Sequence, residues 1–275
     1  MSQRAAVCAG QANVQIDLPP PDEQVLPGLP WGAIEAFPTP AYWTYQVLAR
    51  RLVDQSIRYR LGSSLEEELA ACLLGGHGIP ARVGVAAFQR LRSRGILAGS
   101  PSEEQLLAEL AEPLSIDGRA IRYRFAKQKA TYLCAALRGI REHSPPMSSG
   151  RALRDALIGL PGVGLKTASW IARNWLGADD VAILDIHVLR AGALTGFLDR
   201  TLRVDRDYLV LESQFLTFSR AIGVRASELD ALIWLEMASS PSTVRRLMPN
   251  GLNSERLARR SHVRRADPNQ RVLLD

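Results

Sequence analysis

The chain has 275 residues, 47% hydrophobic and 23% charged, the balance of an ordinary globular protein of one or two compact lobes. No apolar run approaches the roughly 20 residues of a membrane helix, and MSQRAAVCAG lacks a secretory signal's apolar stretch, so a cytoplasmic protein with no membrane partner is expected. Three widely spaced cysteines, Cys8, Cys72 and Cys134, exclude a four-cysteine metal or iron–sulfur site, and a net charge of +6 suits a polyanionic partner.

Residues 1–30 hold Pro19, Pro20, Pro21, Pro27 and Pro30 with little periodicity, and read as a flexible lead-in. Residues 31–145 read as a helical region. Tyr42 to Tyr59 has apolar residues at helical spacing, Leu65–Leu74 is a short helix stopped by Gly75-Gly76, and Pro80 opens another that runs to Arg94. Pro101-Ser102 begin a helix ending near Pro113, and Arg119 to Ile140 reads as a longer one. Cys72 and Cys134 are expected in the core. His77, between glycines, either approaches a ligand or marks a plain turn. In Tyr123 to Lys129 aromatic and basic residues interleave, which fits an amphipathic helix with a solvated face better than a nucleic-acid surface. With no long alternating strand pattern, the fold is expected to be mainly α.

Residues 146–200 follow the linker SPPMSSG at 144–150. Leu153, Ala156 and Leu157 mark one face of a helix that stops at Leu160. Pro161-Gly162-Val163-Gly164 then forces a tight turn into a second helix with Ala168, Ile171, Ala172 and Trp175 on one side. Two glycines around one apolar residue let the backbone turn sharply and leave amide N–H groups pointing outward beside a helix N-terminus. Leu160, Gly162, Val163 and Gly164 are therefore candidates for gripping a nucleic-acid backbone. Asp179-Asp180 break the pattern, residues 181–184 are a short extended apolar segment, and Asp185 is placed to cap a helix opening with Ile186 and His187. Residues 201–240 continue as helices, and 241–275 form a basic tail with eight arginines against three acidic side chains. That tail is either a solvated end or a phosphate-contacting arm.

Of 34 basic residues only Lys127, Lys129 and Lys166 are lysines. Arginine stays protonated at any working pH, whereas a lysine can lose its proton and act as a nucleophile, so a lysine in this arginine-rich sequence draws attention.

The run from Leu160 to Arg190, LPGVGLKTASWIARNWLGADDVAILDIHVLR, resembles the helix-hairpin-helix base-excision DNA glycosylases, most closely the 8-oxoguanine DNA glycosylase/AP-lyase branch. The close likeness spans about forty residues, with looser similarity through Tyr123 to Leu137 and Tyr208 to Trp234. The resemblance implies two helical lobes with a cleft between them. It also implies a bifunctional glycosylase and AP lyase that removes an oxidised purine from double-stranded DNA, with Lys166 as nucleophile and Asp185 as carboxylate partner. A position near a helix start, beside a phosphate-binding turn, suits Lys166 to act as a neutral amine. His187 is assigned to backbone contact or to orienting Asp185. Asp230 and Trp234 fall where the branch keeps a polar residue and a stacking aromatic for the extruded base, although Ser227-x-x-Asp230 equally reads as a capping box and Trp234 as core. Trp170 stands one turn beyond the lysine, where eukaryotic members place a cysteine, and counts as a pocket residue. The N-terminal sheet of those members reads as replaced by helices.

No metal or cofactor is expected, save a monovalent or divalent cation at the hairpin when DNA is bound. A monomer associated with the nucleoid is implied. Two alternatives share the scaffold: an enzyme of a bacterial defence system acting on another base or on RNA, and a non-catalytic DNA-binding module.

Overall fold

The structure, a computed structural model, describes residues 1–53, 60–76, 78–249 and 252. His77 and most of the basic tail lie outside those residues. The chain opens with β1 (Gln3–Ala9), β2 (Ala12–Leu18), β3 (Gln24–Leu26) and β4 (Leu29–Pro30), followed by α1 (Pro40–Leu52), α2 (Leu65–Leu74), α3 (Ala81–Ser93) and α4 (Glu103–Ala111). A hairpin of β5 (Leu114–Ile116) and β6 (Arg119–Ile121) precedes α5 (Ala126–His143), α6 (Gly150–Leu157), α7 (Leu165–Leu176) and α8 (Ile186–Thr195). Then come α9 (Tyr208–Ala221), α10 (Ala226–Ser239) and α11 (Pro241–Leu247). The fold is mainly α, and the strands form three separate two-stranded sheets.

Two compact units partition the chain. The first takes 1–55, 184–224 and 229–275; the second takes 56–183 and 225–228.

In the first unit the proline-rich start is not a flexible lead-in, which corrects the sequence reading. β1 and β2 pair antiparallel from Gln3↔Leu18 to Ala9↔Ala12, turning at Gly10 with φ 63°. Val7, Ile16 and Leu18 are buried, and the hairpin packs on α1. The Gln3 amide donates to the carbonyls of Pro19, at 2.9 Å, and Gly32, at 2.8 Å, and its Oε1 accepts from Ile34 N–H at 3.0 Å. These bonds satisfy the backbone of a segment whose prolines cannot supply donors. Trp43 is fully buried on α1 and its indole N–H donates to Thr195 Oγ1 on α8 at 3.0 Å. Phe197 stacks on Phe218 at 4.1 Å between ring centroids.

The second unit centres on Leu69, Leu74, Phe88, Leu106, Leu133, Leu153, Leu157, Ala168 and Ile171, all buried. α2 and α4 begin with serine caps, and Ser102 completes a reciprocal capping box with Gln105. The helix expected over Arg119 to Ile140 begins only at Ala126. Asp117 and Gly118, at φ 51° and 73°, make a tight turn that pairs Ile116 with Arg119. Ala156, placed by pattern on the buried face of α6, is exposed. Cys72 is buried and Cys134 half-buried. The fully buried Glu68 accepts from Leu61 N–H at 2.8 Å, Gly62 N–H at 2.7 Å and Asn174 Nδ2 at 2.6 Å, tying α2 to α7 and to the strand of chain before it.

Candidate active site

The hairpin belongs to the second unit. Val163 N–H bonds to Leu160 C=O at 3.1 Å, closing the turn, and Val163 is buried while Gly162 and Gly164 are exposed. Gly162 sits at φ 78° with its Cα against the Tyr132 ring of α5, so a Cβ there would overlap that ring and also strain the backbone. Leu160 packs over Gly139 of the same helix. Gly164 caps α7 without a side chain, and no acidic residue stands in the first turn, which leaves the amides of that turn presented to an anion. Lys166 is the second residue of α7 and half-buried. Trp170, one turn on, lies over Gly75 at the end of α2, where a Cβ would come within 3.1 Å of the indole.

Asp185 belongs to the first unit. Its Oδ1 accepts from His187 and Val188 N–H, both at 2.9 Å, so the expected helix cap is present, and Oδ2 lies outside that cap. His187 lies edge-on to Trp234 of α10, with ring centroids 6.3 Å apart, and its Nδ1 is buried. Trp234 is 44% exposed and therefore not a core residue, whereas Asp230, four residues earlier, is 3% exposed.

The capping box read into Ser227 and Asp230 is not formed. α10 starts at Ala226, and the acceptor for Ser227 N–H is Asp179 Oδ1 at 3.0 Å, while Asp179 Oδ2 takes Arg225 Nε at 2.7 Å. Burial raises the Asp179 carboxyl, but the bonds from Ser227 and Arg225 outweigh it and hold the group below the ordinary aspartate range. Asp180 does the same service for α6, accepting Gly150 N–H at 3.0 Å and Arg151 N–H at 3.1 Å. The two aspartates that break the helical pattern in sequence thus cap two other helices.

The sequence model of the 8-oxoguanine DNA glycosylase family matches residues 54–224, more than half of the chain. The chain belongs to the 8-oxoguanine DNA glycosylase family. The family match reaches back to residue 54, into the half where motif reading finds no likeness. A curated 8-oxoguanine DNA glycosylase/AP lyase of Methanocaldococcus jannaschii is 31% identical over 131 residues, 46% of this chain and 61% of that protein. Another of the same name, from Saccharolobus islandicus, is 27% identical over 199 residues, 67% of this chain and 89% of the relative. Among solved structures, the M. jannaschii 8-oxoguanine DNA glycosylase superposes with a TM-score of 0.56 at 23% identity, over 73% of this chain and 94% of that one. The same enzyme in complex with a 15mer DNA containing 8-oxoguanine gives 0.54 at 24%, over 72% and 97%. At those identities the structural likeness speaks for the fold. Within this 8-oxoguanine DNA glycosylase family member, the residues of the two units are the candidates for its chemistry.

Proposed function

We propose that the chain is a bifunctional DNA glycosylase and AP lyase acting on an oxidised purine of the 8-oxoguanine type in double-stranded DNA. The observation that carries the reading is the hairpin joined to its lysine: Gly162 in the left-handed region, Gly164 as a bare cap, and a half-buried Lys166 in the first turn of α7. Membership of the family and the names of its curated relatives support the same substrate. The hairpin amides hold a phosphate, and His187 takes a neighbouring one. Trp234 offers an exposed ring for an extruded base to stack on, Asp230 a carboxylate for donors on its edge, and Trp170 lines the pocket.

The Lys166 amine, with its lone pair available, attacks C1′ as the C1′–N bond breaks and the base leaves with the bonding electrons, taking up a proton. Asp185 stabilises positive charge developing on the sugar. Loss of the ring oxygen from C1′ gives an imine, and removal of a C2′ proton then expels the 3′ phosphate. No cofactor enters these steps, and a cation is assigned only to the hairpin on DNA. Among the described residues no group of three or more His, Cys, Asp or Glu side chains gathers to hold a metal, and no helix is long and apolar enough to cross a membrane. A cytoplasmic, nucleoid-associated monomer completes the reading.

Borohydride reduction during reaction with duplex 8-oxoguanine DNA is expected to give a covalent protein–DNA adduct with the native chain and none with Lys166→Ala. An adduct undiminished in that variant overturns the assignment. A substrate panel of oxidised, alkylated and deaminated bases in DNA and RNA tests the base, and binding without cleavage on every member would instead indicate a non-catalytic module.

A further inference from the structure

Lys129 lies one turn into α5, and its ammonium donates to the carbonyl of Leu73 at 2.5 Å and that of Gly75 at 3.3 Å, where α2 ends. Those oxygens carry the negative end of the α2 dipole and use two of the three donors of an ammonium, so the seat favours a cation. The same end of α2 supports α7, since Trp170 packs on Gly75. Successive turns of α5 track the hairpin: Gly139 lies under Leu160 and Tyr132 under Gly162, and Lys129, one turn further, comes within the electrostatic reach of Lys166. Two of the chain's three lysines therefore occupy one junction of α2, α5 and α7.

Burial first, and then the charge of Lys166, press the Lys129 amine below the ordinary lysine range. Coulomb repulsion is reciprocal, so two such amines titrate as a pair, and the first proton is shed more readily than from either amine alone. The groups facing Lys129 are the two carbonyl oxygens from α2 and Lys166 from α7, with exposed Lys127 on its own helix. The carbonyls decide which partner stays charged.

We propose that Lys129 is a positioning residue for the nucleophile: seated on the Leu73 and Gly75 carbonyls, it keeps its own charge and makes Lys166 the amine that gives up a proton. This rests on the reading of Lys166 as nucleophile. The proton leaves Lys166 Nζ for solvent, and the freed lone pair forms the bond to C1′; Lys129 exchanges nothing.

The test is the pH profile of borohydride-trapped adduct on duplex DNA with a pre-formed abasic site, compared between the native chain, Lys129→Met, Lys129→Gln and Lys129→Arg. The acidic edge is expected to move up by about one pH unit in the Met and Gln variants, a roughly tenfold slower reaction on that limb. In Lys129→Arg, which keeps the charge, the edge should stay with the native protein. A purely structural role would lower the amplitude at every pH and leave the edge in place. An unmoved edge in both the Met and Gln variants, or an Arg variant displaced as far as they are, overturns the proposal. Failure of the native chain to form any adduct strikes the Lys166 reading instead.

Discussion

At the scale of single residues, Asp185 carries two jobs that substitution separates. Its Oδ1 caps α8 through two backbone N–H groups, a role asparagine fills as well as aspartate does. Asp185→Asn is therefore expected to unfold in urea within about 0.5 kcal/mol of the native protein, while Asp185→Ala loses about 1 kcal/mol. Base excision in single-turnover assays should slow strongly in both, because neither offers a negative charge to the sugar. If asparagine supports native excision rates, the carboxylate is only a cap. Trp234 divides the opposite way: being 44% exposed, it contributes little to stability, and Trp234→Ala should leave urea unfolding nearly unchanged. The same variant should bind lesion DNA more weakly by about 1–3 kcal/mol, the range for stacking one base on an aromatic ring, and unaltered lesion binding would remove Trp234 from the pocket.

At the scale of elements, the hairpin was legible because its glycines have one job each, but its support was not. Nothing local in the sequence announces that Tyr132 lies beneath Gly162 or that Gly139 yields space to Leu160; those are contacts across more than twenty residues. Gly162→Ala is expected to cost more than about 1 kcal/mol in urea unfolding, combining a φ of 78° with overlap onto Tyr132, and to weaken binding to undamaged duplex as well. The strand hairpins were misread for two different reasons. Asp117-Gly118 is a turn signal of the kind that joins paired strands, overlooked because the strands are three residues each and lie against a helical pattern. β1 and β2 alternate only through Val7, Ile16 and Leu18, and the prolines that follow masked them as an unstructured leader. Asp179 and Asp180 show the same limit, since capping across sequence distance leaves no mark at the helix being capped. For Asp179 the consequence is a pH dependence. Its carboxyl titrates lower in the folded state than in the unfolded chain, so its contribution is complete above the ordinary aspartate value and disappears as pH falls through the lowered folded one. The acid limb of a stability–pH curve should be shallower in Asp179→Asn than in the native protein; superimposable limbs would mean that the bonds to Ser227 and Arg225 add nothing.

At the scale of the whole molecule, what the sequence disclosed best was chemistry carried in one continuous run, and what it disclosed least was organisation. The motif from Leu160 to Arg190 is read in order, yet Lys166 falls in one compact unit and Asp185 in the other, because the chain crosses between units at Leu184. The net charge of +6 is likewise a property of the whole, and it is unevenly spread: residues 253–275 hold six arginines against three acidic side chains. A protein that neutralises phosphates releases their counterions, so the logarithm of its affinity falls with the logarithm of salt at a slope near −0.9 for each phosphate contacted. Removing 253–275 leaves the hairpin, Lys166 and Asp185 in place and removes that positive excess. The shortened chain is expected to bind duplex with a shallower salt slope and to retain borohydride trapping at low salt, where the hairpin's own phosphate contacts suffice. A slope equal to that of the full chain would show that the tail makes no phosphate contacts. Loss of trapping at low salt would instead place the tail among the elements the chemistry needs.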